Sequence, residues 1–251
     1  MADVAPGGSA GACGGRSQRE WRPPPADAAL DESALAGLGS ATRGVFITFE
    51  GLDGSGKSTQ MDLLAGSLRA AGYEVVTTRE PGGTPLGEAF RDILLDPGHS
   101  AMTARAEALL YSAARAQLVE TVIRPALDEG RIVLCDRYLD SSLAYQGYGR
   151  GLQVEDVLTL NVWATECLFP DLTIVLMVDE VERANRASQA PDRLEAAGLS
   201  FFERAAEGYR RLAADHRHRI RLVDSVGAVN EVQARVRAAI DEELELFSRS
   251  S

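Results

Sequence analysis

Residues 51 to 58 read Gly51-Leu52-Asp53-Gly54-Ser55-Gly56-Lys57-Ser58, which matches Gly-x-x-x-x-Gly-Lys-Ser/Thr at every fixed position. The backbone N–H groups of such a glycine-rich turn bind phosphate oxygens, and the N-terminus of the following helix adds positive potential. The lysine of this pattern reaches the β- and γ-phosphates, and its Ser/Thr hydroxyl binds Mg²⁺. The stretch therefore predicts a binding loop for ATP and Mg²⁺ that runs from Gly51 to Thr59, with Ser58 as a metal ligand.

Lys57 is the single lysine of the chain, against 25 arginines. A compact ammonium on a flexible stem can reach between two phosphates, whereas a planar guanidinium fork does not fit there. Because arginine has replaced lysine everywhere else, we expect Lys57 to do something that arginine cannot do.

The residues on either side of this loop have the periodicity that a phosphate-binding loop requires. Residues 45–49 are β-branched and aromatic, which predicts a buried strand. Residues 59–70 place Met61, Leu64 and Leu68 on one stripe, which predicts a helix. Strand, glycine-rich loop and helix follow one another in the required order.

The rest of the chain continues this alternation of strands and helices. Further strands are predicted at 74–77, 131–136, 172–178 and 220–223. Helices are predicted at 84–95, 103–127, 139–148, 153–167, 200–215 and 229–247, with another starting near 180 and interrupted at Pro191. The pattern predicts an α/β fold with a five-stranded parallel sheet and helices on both faces. Ligands should bind outside the carboxyl ends of these strands.

Composition limits the other possibilities. Residues 1–43 are rich in Gly, Pro and Ala without apolar periodicity, so we expect a disordered extension before a domain at 44–248. This extension has neither the apolar core of a secretory signal nor the acid-poor composition of a transit peptide. The chain contains no apolar run long enough to span a membrane. Its net charge of −11 disfavours nucleic acid as a partner. Its three cysteines lack pairing or metal-binding spacing, which favours the cytoplasm.

Two loops after predicted strands carry polar side chains. Asp136-Arg137-Tyr138 follows an apolar strand, so Asp136 is a candidate for Mg²⁺ or its water shell. Arg137 would then project towards a second phosphate, although a surface salt bridge is the alternative. The segment Arg79-Glu80-Pro81-Gly82-Gly83 combines a fixed turn with close backbone approach to a ligand, and a plain turn is its alternative.

Two further groups of residues are candidates for substrate contacts. Tyr111 and Arg115 are four residues apart on one helix face, where they could bind a nucleobase or simply belong to the core. Arg183, Arg186 and Arg193 surround the interrupted helix and could form a closing lid near residues 183–198, or a solvated face.

Taken together, four segments of the chain resemble thymidylate kinases. They are Phe-Glu-Gly-Leu-Asp-Gly-Ser-Gly-Lys-Ser-Thr, Thr-Arg-Glu-Pro-Gly-Gly-Thr, Leu-Leu-Tyr-Ser-Ala-Ala-Arg and Asp-Arg-Tyr-x-x-Ser-Ser-x-Ala-Tyr-Gln-Gly. The resemblance covers about residues 44–248. It implies a P-loop kinase fold, transfer of a phosphate from ATP to thymidine 5′-monophosphate, and a homodimer.

The resemblance also assigns roles to single residues. It implies that Lys57 acts on the ATP phosphates and that Asp53 lies near the acceptor sugar and phosphate. Contacts with the acceptor are implied for Arg79, Tyr111, Arg115, Arg137, Ser141, Ser142, Tyr145 and Gln146. No arginine occupies the variable P-loop positions, which resembles the bacterial type, where the lid supplies the catalytic cation. Arg183, Arg186 and Arg193 are the candidates, and the spacing does not choose among them.

Two other functions compete with this hypothesis. The first is a P-loop nucleoside or nucleotide kinase with a different acceptor, which the Arg-Glu-Pro-Gly-Gly and Asp-Arg-Tyr loops disfavour. The second is a regulatory ATP-binding or GTPase module without an acceptor. A GTPase would need an Asn-Lys-x-Asp motif, which is impossible when the one lysine is already in the P-loop.

Overall fold

A computed structural model of the protein describes residues 43–178, 193–194 and 197–244. The chain divides after Ala41 into two units, and all of the described residues belong to the second. The disorder predicted for the N-terminal extension and the helix predicted near residue 180 lie outside the described residues, except for Arg43.

The sheet contains five parallel strands in the order β2-β3-β1-β4-β5. Their bounds are Phe46–Glu50 for β1, Val75–Arg79 for β2, Ile132–Asp136 for β3, Leu172–Met177 for β4 and Ile220–Asp224 for β5. The central strands are almost continuously apolar because helices cover both of their faces. The predicted fold class is confirmed.

Helices connect the strands. Their bounds are Lys57–Ala70 for α1, Pro85–Leu95 for α2, Ala104–Leu118 for α3, Arg124–Asp128 for α4, Leu139–Ser142 for α5, Val154–Ala164 for α6, Leu199–Asp215 for α7 and Val229–Leu244 for α8. Thr84 caps α2 by accepting a hydrogen bond from Gly87 N, so the helix predicted over 84–95 begins at Pro85.

Alternate residues of each strand face two different hydrophobic clusters. Phe46, Val133 and Val175 pack with α3 and α7 on one face. Ile47 and Leu134 pack with α1 and α8 on the other. Helices therefore pack against both faces of the sheet, and its carboxyl edge carries the loops described below.

Two predicted helices contain π-helical turns that the sequence analysis did not foresee. The helix predicted over 103–127 passes through a π-helical turn at Val119–Ile123 before Pro125. Proline lacks an N–H, so a local change in hydrogen bonding is expected there. The helix predicted over 139–148 is α-helical only to Ser142 and π-helical over Leu143–Gly149. Among the described residues, no helix is long and apolar enough to cross a membrane.

The described domain begins near Arg43, where the chain is held by two contacts. Gly44 N donates to Leu127 O at 2.8 Å, and the exposed Arg43 lies 3.8 Å from Asp171. The buried residues of the two core clusters begin at Phe46 and Ile47, and Val45 packs against the second cluster.

We predict that a chain shortened to begin at Arg43 keeps the melting temperature of the full chain, because no part of the described core is removed. Differential scanning calorimetry of the two chains measures this. A clear drop in melting temperature would mean that residues 1–42 contribute to the stability of the domain.

Candidate active site

The P-loop connects β1 to α1 and needs glycine at its first position. Gly51 has φ 129°, and a Cβ there would lie 2.4 Å from Leu176 O. Gly56, just before α1, is also left-handed with φ 90°. Side chains at these positions would strain or displace the turn, so its N–H groups could not face a phosphate.

Lys57 is buried at the start of α1. Its Nζ donates to Leu52 O at 3.1 Å and lies 3.8 Å from Asp53 Oδ1. Burial lowers the pKa of Lys57 and the charge of Arg137 lowers it further, while nearby carboxylates oppose both effects. The ammonium therefore occupies a narrow site within the loop, beside a second cation.

Ser58 and Asp136 form the predicted metal-binding pair. Ser58 Oγ donates to Asp136 Oδ2 at 2.6 Å, although the two residues are 78 positions apart. A hydroxyl and a carboxylate are oxygen ligands of the kind that Mg²⁺ prefers, and Mg²⁺ commonly takes few protein ligands beside phosphates and water. The donor set therefore fits the ion.

Thr59 is the last of the residues predicted to bind ATP. The structure places it in the first turn of α1, directly after Ser58, and its side chain is exposed. Thr59 therefore belongs to the helix and not to the turn that Gly51 begins. Its backbone N–H is one of the groups at the helix N-terminus that have no partner within the helix, and such a group can face a phosphate. The ATP contact of Thr59 stays a prediction.

Arg137 joins the P-loop to the loop after β3. Its Nη2 donates to Asp53 Oδ1 at 2.6 Å, and its Nη1 donates to Gly51 O at 3.0 Å. The same guanidinium contacts Ser141 Oγ at 3.1 Å and Tyr145 Oη at 3.2 Å. Burial disfavours the ionised form of Asp53, but Arg137 and Lys57 outweigh it and lower the pKa of Asp53 to about 2. The Arg137 side chain is 15% exposed, so its salt bridge with Asp53 is largely buried on the Arg137 side.

A cleft opens beside Arg137 at the carboxyl edge of the sheet. We call it the strand-end cleft, and its lining residues are Asp53, Glu80, Pro81, Arg91, Leu95, Tyr111, Arg137, Ser141, Ser142, Tyr145, Gln146 and Leu194. Seven of the predicted acceptor residues therefore lie on one surface, although they come from three separate segments. Arg79 and Arg115 are the two that do not line it.

Arg115 lies behind the cleft wall, not on it. Its side chain is 1% exposed and pairs with Glu80, with Nε 2.6 Å from Oε2. It also donates to Ser142 Oγ at 3.0 Å, to Tyr138 O at 3.1 Å and to Asn161 Oδ1. The predicted direct contact with a base is not supported by this placement. Arg115 instead holds Glu80 and Ser142, which do line the cleft.

Arg79 is also placed differently from the expectation. It is exposed and pairs with Glu88 at 2.9 Å. Arg91 lines the cleft instead and donates to Pro81 O at 3.0 Å. The last residue of β2 points its side chain towards α2, and a turn of that helix supplies the cation that sequence reasoning assigned to the strand end.

Arg193 was predicted as a lid cation, but the structure gives it internal partners. Its side chain is buried, and it donates to Leu94 O at 2.7 Å and to Glu107 Oε2 at 2.6 Å. Glu107 is fully buried and also accepts from Gln146 and Arg150. This pairing places Leu194 on the cleft wall and does not support a catalytic role for Arg193. The other lid candidates, Arg183 and Arg186, lie outside the described residues.

Sequence reasoning missed three buried carboxylates around the site. They are Glu50, at the end of β1, Glu80 and Glu107. Burial and the charge of Asp140 raise the pKa of Glu50 to about 7, against hydrogen bonds and Arg137. One signal was available in the sequence: Glu50 ends a strand that is otherwise almost wholly apolar, where a carboxylate must have a partner.

Comparison with known proteins identifies the family. The family model for thymidylate kinase matches residues 49–236. A thymidylate kinase of Pelotomaculum thermopropionicum is 48% identical over 212 residues, covering 83% of this chain and 98% of the relative. One from Deinococcus radiodurans is 48% identical over 204 residues, covering 80% and 98%. The chain belongs to the thymidylate kinase family.

The fold agrees with that membership. A crystal structure of thymidylate kinase from Ehrlichia chaffeensis superposes with a TM-score of 0.65 at 34% identity, covering 79% of this chain and 99% of the other. The predicted family and the predicted activity, ATP-dependent phosphorylation of thymidine 5′-monophosphate, are confirmed. No finding favours a kinase with another acceptor.

We predict that Lys57→Arg lowers turnover of the enzyme at least ~100-fold, nearly as much as Lys57→Ala. The Lys57 ammonium is held between Leu52 O and Asp53 as a compact point charge, a geometry that a planar guanidinium fork does not reproduce. ADP release at saturating substrates measures it, and Arg69→Lys on the exposed side of α1 is the matched control. Near-normal turnover of Lys57→Arg would contradict this account of the single lysine.

We predict that Arg115→Ala mainly destabilises the fold, because it leaves Glu80 and Asn161 buried without their partner. Breaking a buried ion pair costs about 3–5 kcal/mol, which lowers the melting temperature by roughly 6–20 °C for a domain of this size. Arg105→Ala, at an exposed position of the same helix, is the control. An unchanged melting temperature with a raised KM for thymidylate would instead support direct contact with the base.

Proposed function

We propose that the strand-end cleft holds thymidine 5′-monophosphate, and that the γ-phosphoryl of ATP is transferred to its 5′-phosphate beside Asp53 and Arg137. One observation carries the proposal: Arg137 lines the cleft and also bonds Asp53 and Gly51 of the P-loop. A guanidinium in this position can bind the acceptor phosphate at the point where the phosphoryl donor ends.

The cleft supplies different chemistry to the different parts of the acceptor. Arg137 and Arg91 provide positive charge for the phosphate. Tyr111, Leu95 and Leu194 provide apolar surface for the base, and Ser142 and Gln146 provide polar atoms at its edge. Such a set of convergent polar groups in an apolar cleft is typical of a nucleotide site.

In the proposed mechanism the protein positions two anions and neutralises the charge that develops between them. The P-loop N–H groups and Lys57 hold the ATP phosphates, while Arg137 orients the acceptor phosphate for in-line attack. Ser58 and Asp136 would hold Mg²⁺, which supplies charge neutralisation at the donor phosphates when it is bound. Asp53, kept ionised by Arg137 and Lys57, holds the two cations in register. Arg183 and Arg186 remain the candidates for a lid cation.

An ADP-release assay across a panel of nucleoside monophosphates tests this proposal. We expect thymidylate to accelerate ADP release far more than the other acceptors, and we expect chelation of Mg²⁺ to abolish it. Arg137→Ala should raise the KM for thymidylate and leave the KM for ATP nearly unchanged. ADP release that does not depend on any acceptor would instead favour a regulatory ATP-binding module.

A homodimer and a cytoplasmic location also belong to the proposal. Leu109 on α3 and Trp163 on α6 are large apolar side chains left exposed on two helices that pack together, which suits a surface covered by a second copy. The three cysteines have no pairing spacing in the sequence, which supports a reducing compartment. Light scattering of the purified protein measures the assembly state.

Tyr145 is the proposed determinant of sugar choice. Its ring lines the cleft, lies 5.0 Å under the Arg137 guanidinium and packs edge-on against Phe201. A ring held in this way next to C2′ of the sugar leaves no partner for a ribose 2′-hydroxyl. Packing of the core alone is the alternative role.

We predict that Tyr145→Ala shrinks the ratio of kcat/KM for deoxyuridylate over uridylate, whereas Tyr145→Phe retains it. An unpaired buried hydroxyl costs about 1–3 kcal/mol, so about 5- to 150-fold of discrimination is at stake. Both variants lose the hydroxyl that faces Arg137, so a difference between them reports on the ring alone. A general loss of activity lowers kcat/KM for both substrates and leaves their ratio unchanged. A ratio unchanged in Tyr145→Ala, with only the melting temperature lowered, would mean that the ring serves packing.

A further inference from the structure

Glu50 is a fully buried carboxylate to which the sequence analysis assigned no role. Its Oε1 accepts backbone hydrogen bonds from Tyr138 N at 2.7 Å and Ser141 N at 3.2 Å. Its Oε2 accepts from the hydroxyls of Ser141 and Tyr209, the latter at 2.9 Å. A carboxylate has about four acceptor positions, and here four donors occupy them. Tyr138 and Ser141 closely follow Arg137 in the chain, and Ser141 also touches the Arg137 side chain.

The backbone contacts of Glu50 hold Arg137 in an uncommon conformation. Arg137 has φ 71°, a left-handed value that is rare for a side chain of this size and persists only where neighbouring contacts enforce it. Arg137 N donates to Phe49 O at 2.8 Å on one side. Glu50 Oε1 holds Tyr138 N and Ser141 N on the other side. Consecutive residues of β1 therefore hold both sides of the turn.

The hydroxyl contact of Glu50 acts on the Arg137 side chain. Ser141 has a single hydroxyl hydrogen, and Arg137 can only donate. An ionised Glu50 can only accept, so the Ser141 hydrogen turns towards Glu50 and an oxygen lone pair faces Arg137 Nη1 at 3.1 Å. The negative charge of Glu50 thus reaches the guanidinium through one hydroxyl, without touching the cleft itself.

We propose that Glu50 is a positioning residue that presets Arg137 for the acceptor phosphate, through the Ser141 hydroxyl and the backbone at Tyr138 and Ser141. This inference rests on the acceptor role proposed for Arg137. Of the phosphate-facing cations described above, Lys57 is held by the P-loop itself. Arg137 instead depends on contacts from Phe49 and Glu50 of β1, a strand more than 80 positions earlier in the chain.

Glu50→Gln separates the two functions of the carboxylate. The glutamine oxygen can keep both backbone hydrogen bonds at the Oε1 position, because two N–H donors meet there. Its amide then donates where Oε2 accepted, and the negative charge behind Ser141 is lost. At pH 8, where Glu50 is ionised, we expect the KM for thymidylate to rise about 10- to 150-fold, the scale of one charge-assisted hydrogen bond. The KM for ATP should stay near its original value.

The connection from Glu50 through the Ser141 hydroxyl to Arg137 has its own test. In a Ser141→Ala background we expect Glu50→Gln to cause little further rise in the KM for thymidylate, because the connecting hydroxyl is already gone. Tyr209→Phe is the comparison variant, since it removes the hydroxyl that lies 2.9 Å from both Glu50 Oε2 and Ser141 Oγ and leaves Ser141 between Glu50 and Arg137. This variant should retain a KM near that of the unmodified enzyme.

Three results would overturn the inference: a normal KM for thymidylate in Glu50→Gln, an equal rise with and without Ser141, or a Glu50→Gln chain that does not fold. The last result would mean that Glu50 serves the fold alone. Measuring Arg137→Ala distinguishes an error in the role of Glu50 from an error in the proposed function. If Arg137→Ala leaves the KM for thymidylate unchanged, the acceptor role of Arg137 itself is wrong.

Discussion

The parallel pairing of β1 with β3 is the constraint on which the rest of the site depends. Phe49 is paired with Asp136, so the P-loop after Glu50 and the loop after Asp136 leave the sheet side by side. This register brings Ser58 to Asp136 and Arg137 to Asp53, although each pair is about 80 positions apart in the chain. A shift of one residue in the pairing would turn these side chains to opposite faces and separate them.

Three arginines around the cleft are paired with carboxylates. Arg137 is paired with Asp53, Arg115 with Glu80, and Arg193 with Glu107. Removing a charge from water is costly unless a partner and hydrogen bonds compensate for it. Each such pair therefore holds its loop in one geometry. Electrostatic preorganisation of this kind is what phosphoryl transfer requires from a protein.

The arginine-rich composition acquires a physical meaning in this arrangement. Arginines such as Arg115 make several hydrogen bonds at once in fixed directions, which a lysine could not do. Lys57 occupies the one described site where a point charge is needed between backbone carbonyl, carboxylate and phosphate. Arginines such as Arg115 therefore hold the cleft wall, and Lys57 is placed to contact phosphate. Arg137 does both.

The sequence by itself determined the fold class, the P-loop, the order of the strands along the chain and the family, because these depend on local patterns. Periodicity, glycine positions and a fixed motif spacing are visible without any tertiary contact. It also named seven of the twelve residues that line the cleft. The Glu-Pro segment after β2 was recognised as a ligand loop, although the role of Glu80 itself was not.

Only the tertiary structure decided which charged side chains face the cleft and which hold its wall. Arg79, Arg115 and Arg137 each lie in a segment that resembles the family, yet Arg79 pairs on the surface and Arg115 is buried behind Glu80. Glu50 and Glu107 carry no motif, and their importance comes from partners 39 to 159 positions away. A sequence pattern reports the chemistry available at a position. The direction of a side chain, and the partner that neutralises it, are set by packing between segments that are distant in the chain.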